Sequence, residues 1–343
     1  MAPKPSTYKR HDELLQYSVA DRRKGLLAIA TSVPPALALI AITYLTLGVS
    51  LPLTIALEIL TAGFLVRSFV IFHDCGHGSL LPTKRENTLW GIGIGLLVLG
   101  SYHGWKYEHT IHHAHSGDLD KRGVGDVETW TVNEYHKASV MRRLGYRAFR
   151  NPVIMFGLGP VLAMIIAPRL LPPKAPKHVR RYIMLTNIAL ALLFVALGTL
   201  LGWVPFLLAW APAALAGGSA GVWLFYVQHQ FEDTYWQSGD DWSYADAALQ
   251  GSSYLKLPKV LDFFSAQIGL HHVHHLNARI PHYNLHAAHA SCEVFKSVPV
   301  LSVMDGIRAT RLKLWDEDSQ QLLTFAQARR TVALRAQPIA ASA

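Results

Sequence analysis

The sequence predicts an all-α membrane protein: four transmembrane helices in two hairpins, with interfacial helices and a helical cytosolic cap that holds a histidine-rich metal site. Three observations carry that prediction. Only 16% of the 343 residues are charged, against about 25% in soluble domains, and mean hydropathy is positive at +0.21. Apolar runs near 25–46, 51–72, 182–201 and 204–228 each approach the length of about 20 residues that crosses a bilayer. The chain also carries 18 histidines, most of them clustered rather than scattered. The length alone suggests about two soluble domains, and this composition excludes them.

Residues 1–24 are polar and basic, with Lys4, Lys9, Arg10, Arg22, Arg23 and Lys24, and read as a cytosolic segment. The apolar run behind them lacks a small-residue cleavage site, so it reads as a retained signal-anchor helix. The first hairpin turns at Leu47-Gly48-Val49-Ser50 and the second around Gly202-Trp203-Val204-Pro205, and neither turn carries a charge. Nearly all Lys and Arg lie instead in the N-terminal segment, in 73–181 and after 229, including Lys84, Arg85, Arg142, Arg143, Arg147, Arg180 and Arg181. The positive-inside rule places these segments and both termini in the cytoplasm of a cell whose inner membrane holds the spans. The net charge of +9 thereby becomes a topology signal, and no nucleic-acid partner is implied.

Two further apolar runs, near 88–102 and 152–171, are shorter or broken by Gly and Pro. Interfacial or re-entrant helices suit them better than spans. If both crossed, the histidines between them would be cut off from the others. The cap is then built from 73–181 and 229–335, with helices expected over 299–333, so that 25–335 forms one membrane domain and 336–343 a flexible tail. Cys75 and Cys292 are the only cysteines, which implies no disulfide framework.

Three histidine clusters stand out. His73-Asp74-Cys75-Gly76-His77 follows the second run, and i and i+4 share a helical face. His109-Thr110-Ile111-His112-His113 and His271-His272-Val273-His274-His275 each present i, i+3 and i+4. His113 and His275 are expected to reach a second metal beside the one held by their partners. Eight imidazoles exceed what one ion uses, so two metals are implied. Imidazoles packed this closely repel one another if protonated and are poorly solvated if neutral, and a bound cation resolves the conflict. His229, at the cytosolic end of the fourth run, is a ninth candidate. Asp74, Glu108, Glu232, Asp262 and Asn277 are suited to orient imidazoles through hydrogen bonds. His11, His103, His136, His178, His282, His286 and His289 read as ordinary hydrogen-bonded or exposed residues, and so do His115 and His272, which fall off the repeated pattern.

All-nitrogen ligation suits iron, copper, zinc or nickel. HExxH is absent, which removes the general base of a zinc protease, and a haem bundle wants histidines inside the spans rather than at their ends. A redox-active pair of irons at the membrane boundary can use O2 against an unactivated C–H bond, which side chains alone cannot attack. A lipid chain is the natural substrate there.

HDCGH, HTIHH and HHVHH, in this order and at these separations, resemble the three histidine boxes of integral-membrane fatty acid desaturases, and the likeness covers about residues 20–330. FYVQHQFEDTYW, HHLNARIPHYNL and RLKLWDEDSQQLL further resemble bacterial acyl-lipid desaturases. The resemblance implies a four-span stem under a cytosolic cap, a di-iron centre, O2 as co-substrate, and two electrons from a ferredoxin-like or flavodoxin-like donor. Carried over by motif, the metal ligands are His73, His77, His109, His112, His113, His271, His274 and His275, with His229 as the extra ligand. Two positions depart from the pattern. Phe225 stands where acyl-CoA relatives place an Asn that holds a metal-bound water, and His282 stands where Asn more usually follows Ile-Pro. No HPGG haem motif occurs, so no fused cytochrome b5 donor is expected. The expected reaction takes two vicinal hydrogens from an acyl chain, held in an apolar tunnel lined by span residues and by Trp105 and Trp130, and leaves a cis double bond. A lipid or alkane hydroxylase or a carotenoid ketolase shares the same boxes. A metal transporter or sensor needs polar or metal-binding groups along the middle of the spans, which are almost wholly apolar apart from Glu58 and Arg67.

Overall fold

The computed structural model describes residues 12–335; His11 and the expected tail 336–343 lie outside the described residues. Among the described residues, four helices are long and apolar enough to cross a membrane: Arg22–Thr46, Leu51–His77, Lys177–Leu201 and Trp203–His229. The first is two helices, Arg22–Ala30 and Val33–Thr46, broken at Thr31-Ser32. Pro34 and Pro35 supply the break. They have no N–H to donate backwards, which suits the first turn of a helix and ends the preceding one. At the break the Ser32 N–H turns to Ile29 O at 3.1 Å, and the Ala28 carbonyl accepts instead from Ser32 Oγ at 2.6 Å.

The second and fourth spans run further than hydropathy indicates, each for 27 residues, and each ends on a histidine. Leu51–His77 carries the whole HDCGH segment as helix and stops at Gly78, whose φ of 71° is left-handed. There the Gly78 N–H reaches Cys75 O at 3.0 Å and the Ser79 N–H reaches Asp74 O at 3.0 Å, which closes the free carbonyls of the last turn. The second hairpin turns on Gly202 alone, at φ 82°, between Leu201 and Trp203.

Neither short apolar run is a span. The first gives the 14-residue helix Lys84–Leu97. The second breaks into Pro152–Gly157, a π-helical turn at Val161–Ile166 and a tight turn at Ala167–Arg169.

The cap departs from the purely helical expectation. Trp130–Thr131 pairs parallel with Leu314–Asp316, which pairs antiparallel with Gln321–Leu323, and Tyr254–Leu255 pairs parallel with Val300–Leu301. Within 299–333, helices form only over Val303–Ala309 and Phe325–Arg335. Asp316 explains the hairpin between them. Its carboxylate accepts from Ser319 N at 3.2 Å and Ser319 Oγ at 2.6 Å, a side-chain turn that outcompetes a helix in a short polar stretch.

One buried cation ties this cap to the fourth span. The Arg150 side chain is fully enclosed. It donates to Glu128 O at 2.8 Å, Gln230 Oε1 at 2.8 Å, Leu312 O at 3.1 Å and Tyr226 Oη at 3.1 Å. Tyr226 Oη in turn donates to Leu312 O at 2.6 Å. Tyr226 and Gln230 flank His229, so the end of the fourth span is fixed to both cap segments at once.

Candidate metal centre

Four helices converge where the second and fourth spans end: Leu51–His77, Tyr102–His115, Trp203–His229 and His271–Leu276. Close approach of the second of these depends on Gly76, where a Cβ atom would stand 2.5 Å from the Trp105 ring. Tyr102 Oη fastens the same contact by donating to Cys75 O at 2.9 Å. Trp105 stacks on His109 with centroids 4.2 Å apart and also lies 5.3 Å from His73.

All nine predicted imidazoles meet here, in two groups. His73, His77, His109, His113 and His274 form one, and His112, His229, His271 and His275 the other; within each, the donor atoms lie within 4.8 Å of one another. The groups touch, with the His113 and His275 rings stacked at 4.2 Å. The allocation corrects one expectation. His113 and His275 stay with their i partners, and the i+3 residues, His112 and His274, cross to the other group.

Hydrogen bonds fix which nitrogen of three imidazoles faces inward. His73 Nδ1 lies 3.2 Å from Asp74 Oδ1, His112 Nδ1 lies 2.5 Å from Asp126 Oδ1, and His229 Nδ1 lies 3.0 Å from Gly251 O. Each acceptor holds the proton on Nδ1 and leaves Nε2 as a lone-pair donor. Of the five predicted orienting groups, only Asp74 does this. Asp262 bonds His286 at 2.9 Å and Asn277 bonds Ser18 at 3.0 Å, while Glu108 and Glu232 hold no imidazole among the described residues.

Asp126 was not expected. It sits in an irregular loop whose Gly125, at φ 72°, passes so close that a Cβ would be 3.0 Å from His112 Cβ. The Gly-x-Gly before it marks a tight passage, but nothing in the sequence says which helix the passage meets. His282 is a second omission, because its Nδ1 and its backbone N–H both reach Asp74 Oδ2 at 2.7 Å. Asp74 is thus held from behind while it orients His73.

A bound cation suits these residues. His113 Nε2 lies 3.1 Å from His109 Nε2 and 2.9 Å from His274 Nε2, and His271 Nε2 lies 3.0 Å from His229 Nε2. Facing nitrogens at that separation need a shared proton or cation. Moreover, His73 Nε2, His77 Nε2, His112 Nε2, His113 Nδ1, His271 Nδ1 and His275 Nε2 are buried with no hydrogen-bond partner, which is rare for interior polar atoms. Burial holds His109, His113, His271, His274 and His275 well below the ordinary histidine range, and their imidazole neighbours push the same way. Neutral imidazoles are the form that binds metal.

Other residues read as ordinary stay outside both groups. His272 pairs with His289 at 3.0 Å, and His103 stacks on Tyr182 at 4.0 Å. Phe225 flanks the second group, its ring 5.3 Å from His112 and 5.5 Å from His229. Trp130 does not line the site. It stacks on Tyr146 at 4.4 Å in a cap cluster with Tyr135 and Leu314. Arg67, which with Glu58 interrupts the apolar run of the second span, donates to Phe263 O and lies 4.1 Å from that ring's centroid.

An all-imidazole cluster set at the ends of helices long and apolar enough to cross a membrane is a candidate metal centre within reach of lipid. The model of the fatty acid desaturase family matches residues 49–295. A fatty acid desaturase of Bacillus subtilis is 43% identical over 313 residues, covering 91% of this chain and 89% of that one. An sn-1 oleoyl-lipid 12-desaturase of a Synechocystis species is 28% identical over 67% of this chain and 66% of its own length. An sn-1 acyl-lipid omega-3 desaturase (ferredoxin) of a Nostoc species is 30% identical over 63% of this chain and 61% of its own. The chain belongs to the fatty acid desaturase family: it is a membrane-bound oxidoreductase of desaturase type, and the hydroxylase, ketolase and transporter readings are not favoured.

Proposed function

We propose that this protein introduces a cis double bond into the acyl chain of a membrane lipid, using O2, two iron ions, and two electrons from an external ferredoxin-like or flavodoxin-like donor. The observation that carries this reading is the pair of adjoining imidazole groups at the ends of the spans. His73, His77, His109, His113 and His274 would hold one iron, and His112, His229, His271 and His275 the other. Bound there, the irons supply O2-dependent attack on an unactivated C–H bond. The chain's own residues do the rest. Asp74, Asp126 and the Gly251 carbonyl keep three ligands in the metal-binding tautomer, and Trp105 and Phe225 wall the cluster with apolar rings.

Acyl-lipid substrates are supported by the acyl-lipid activities of the cyanobacterial relatives, and ferredoxin by that of the Nostoc enzyme. Residues 25–335 would act as one domain in the inner membrane with the irons on the cytoplasmic side, as the placement of Lys and Arg favours.

Expression in a host without polyunsaturated lipids, followed by mass spectrometry of fatty acid methyl esters with double-bond localisation, tests the reaction. New alkenes in glycerolipid acyl chains are expected, and hydroxy acids in their place would overturn the reading. His112→Ala and His274→Ala should each abolish product while membrane insertion persists.

A further inference from the structure

The Lys177–Leu201 helix has two unlike faces. Val179 and Ile183 are buried against Tyr107, and Ile183 also against Gly104, on the helix that carries His109, His112 and His113. Lys177, Arg180 and Arg181 lie on the opposite side, followed by Met184, Leu185 and Ile188 at helical steps. Together with Leu171 these residues line an open cleft of about 330 Å³ that is cationic at one end and apolar at the other.

The cationic end runs against local helix physics. Three like charges at i, i+3 and i+4 repel one another. They also sit at a helix N-terminus, where the dipole and the free N–H groups already favour an anion, and the first turn contains no acidic residue. Among the described residues none of the three meets a carboxylate; the ion pairs of Lys and Arg lie elsewhere. Met184, Leu185 and Ile188 are exposed beneath them. The positive-inside rule accounts for cations at this end of a span; their place beside an exposed apolar cleft, with no carboxylate partner, suits an anionic ligand that carries an acyl chain.

We propose that this cleft binds a phospholipid with an anionic headgroup, its phosphate against Lys177, Arg180 and Arg181 and one acyl chain along Met184 and Ile188. The inference rests on the chain's being in a membrane and not on the reaction it performs. The bound lipid lies on the side of the helix away from the imidazoles, so it is distinct from the reacting chain. It neutralises the start of a span whose other face supports the histidine-bearing helix.

Native mass spectrometry of the full-length protein, exchanged from detergent into phosphatidylglycerol or phosphatidylcholine, tests the site. At about fivefold per cation, the wild type should retain phosphatidylglycerol about a hundredfold better. The K177Q/R180Q/R181Q variant should fall to near parity, while the charge-matched K137Q/R142Q/R143Q variant keeps the preference. Met184→Ser with Ile188→Ser should weaken retention, and glycerophosphoglycerol, which has no acyl chain, should not displace the lipid. Equal loss in both charge variants, no preference in the wild type, or displacement by the soluble headgroup would overturn the proposal. Circular dichroism confirms folding, and if the triple variant fails it, R181Q alone should show a fivefold drop and its absence refutes the site. Failure here leaves double-bond formation untouched, because the readout is lipid retention.

Discussion

Asp126 offers the sharpest separation of the two imidazole groups. Its carboxylate accepts from His112 Nδ1 at 2.5 Å, and His112 is one of four donors in its group. A hydrogen bond to a charged acceptor is worth about 1.5–3 kcal/mol, which is about 10- to 150-fold in an equilibrium constant. Loss of such an orienting partner costs about 10–100-fold in metal affinity at comparable sites. Asp126→Leu removes both the acceptor and the charge, so the second group should weaken by about 10–100-fold. Asp126→Asn keeps an oxygen that can fix the tautomer, and its loss should lie near the low end, about tenfold. The first group has its own carboxylate in Asp74, backed by His282, and should keep its ion. Competitive chelator titration with metal analysis after dialysis measures this, with bound iron falling from about two to about one per chain in Asp126→Leu. Two ions retained at wild-type affinity would refute the orienting role. Equal loss of both ions would show instead that Asp126 only supports the fold.

Three further perturbations address the fold around the site. Arg150→Ala strips five acceptors of their buried donor at the seam between span and cap, and thermal unfolding of the purified protein should show a loss of about 3 kcal/mol or more; a melting temperature unchanged from wild type would remove Arg150 from the seam. Gly76→Ala forces a methyl to within 2.5 Å of the rigid Trp105 ring, so the helix bearing His109 must shift, and the variant should lose bound metal while remaining in the membrane. Lys313 has its pKa pushed down to about 7, by burial first and by Arg150 second. Between pH 7 and the ordinary lysine value near 10.5 the unfolded chain therefore binds more protons than the folded one, and stability rises with pH. Lys313→Met should be more stable at neutral pH and should lose that rise in a pH series of thermal melts.

Much of this was readable from residue type and spacing. The spans follow from apolar length; i, i+3 and i+4 spacing singles out six imidazoles and the i, i+4 pair His73 and His77 two more, while His229 stands alone at the end of a span. What remained hidden depends on contacts distant in sequence. Asp126 and His282 reach the cluster only after a loop crosses His112 and the Ile-Pro segment folds back on Asp74, 208 residues away. The strands at Leu314–Asp316 and Gln321–Leu323 cover three residues each, too short for a two-residue period to stand out from a helical one. Aromatic character alone does not tell a site wall from a core residue, and Trp130 stacks on Tyr146 within the cap.

The crossing of His112 and His274 between groups follows from helix geometry. Residues four apart on a helix differ by about 40° around the axis, whereas a residue three on lies about 60° to the other side of the first. His109 with His113, and His271 with His275, therefore point nearly together, and His112 and His274 point about 100° away from the fourth-position partner. A single helix with this spacing cannot aim all three imidazoles at one ion, but it can aim two at one ion and one at a neighbour. Two such helices, each giving its odd imidazole to the other's group, lock the two groups into fixed separation without any residue that bridges them. The HDCGH helix needs no third histidine, because His229 at the end of the fourth span completes the group that lacks it. The i+3 histidines are thus what makes the two sites one centre, and neither site can be shifted without moving a helix that also serves the other.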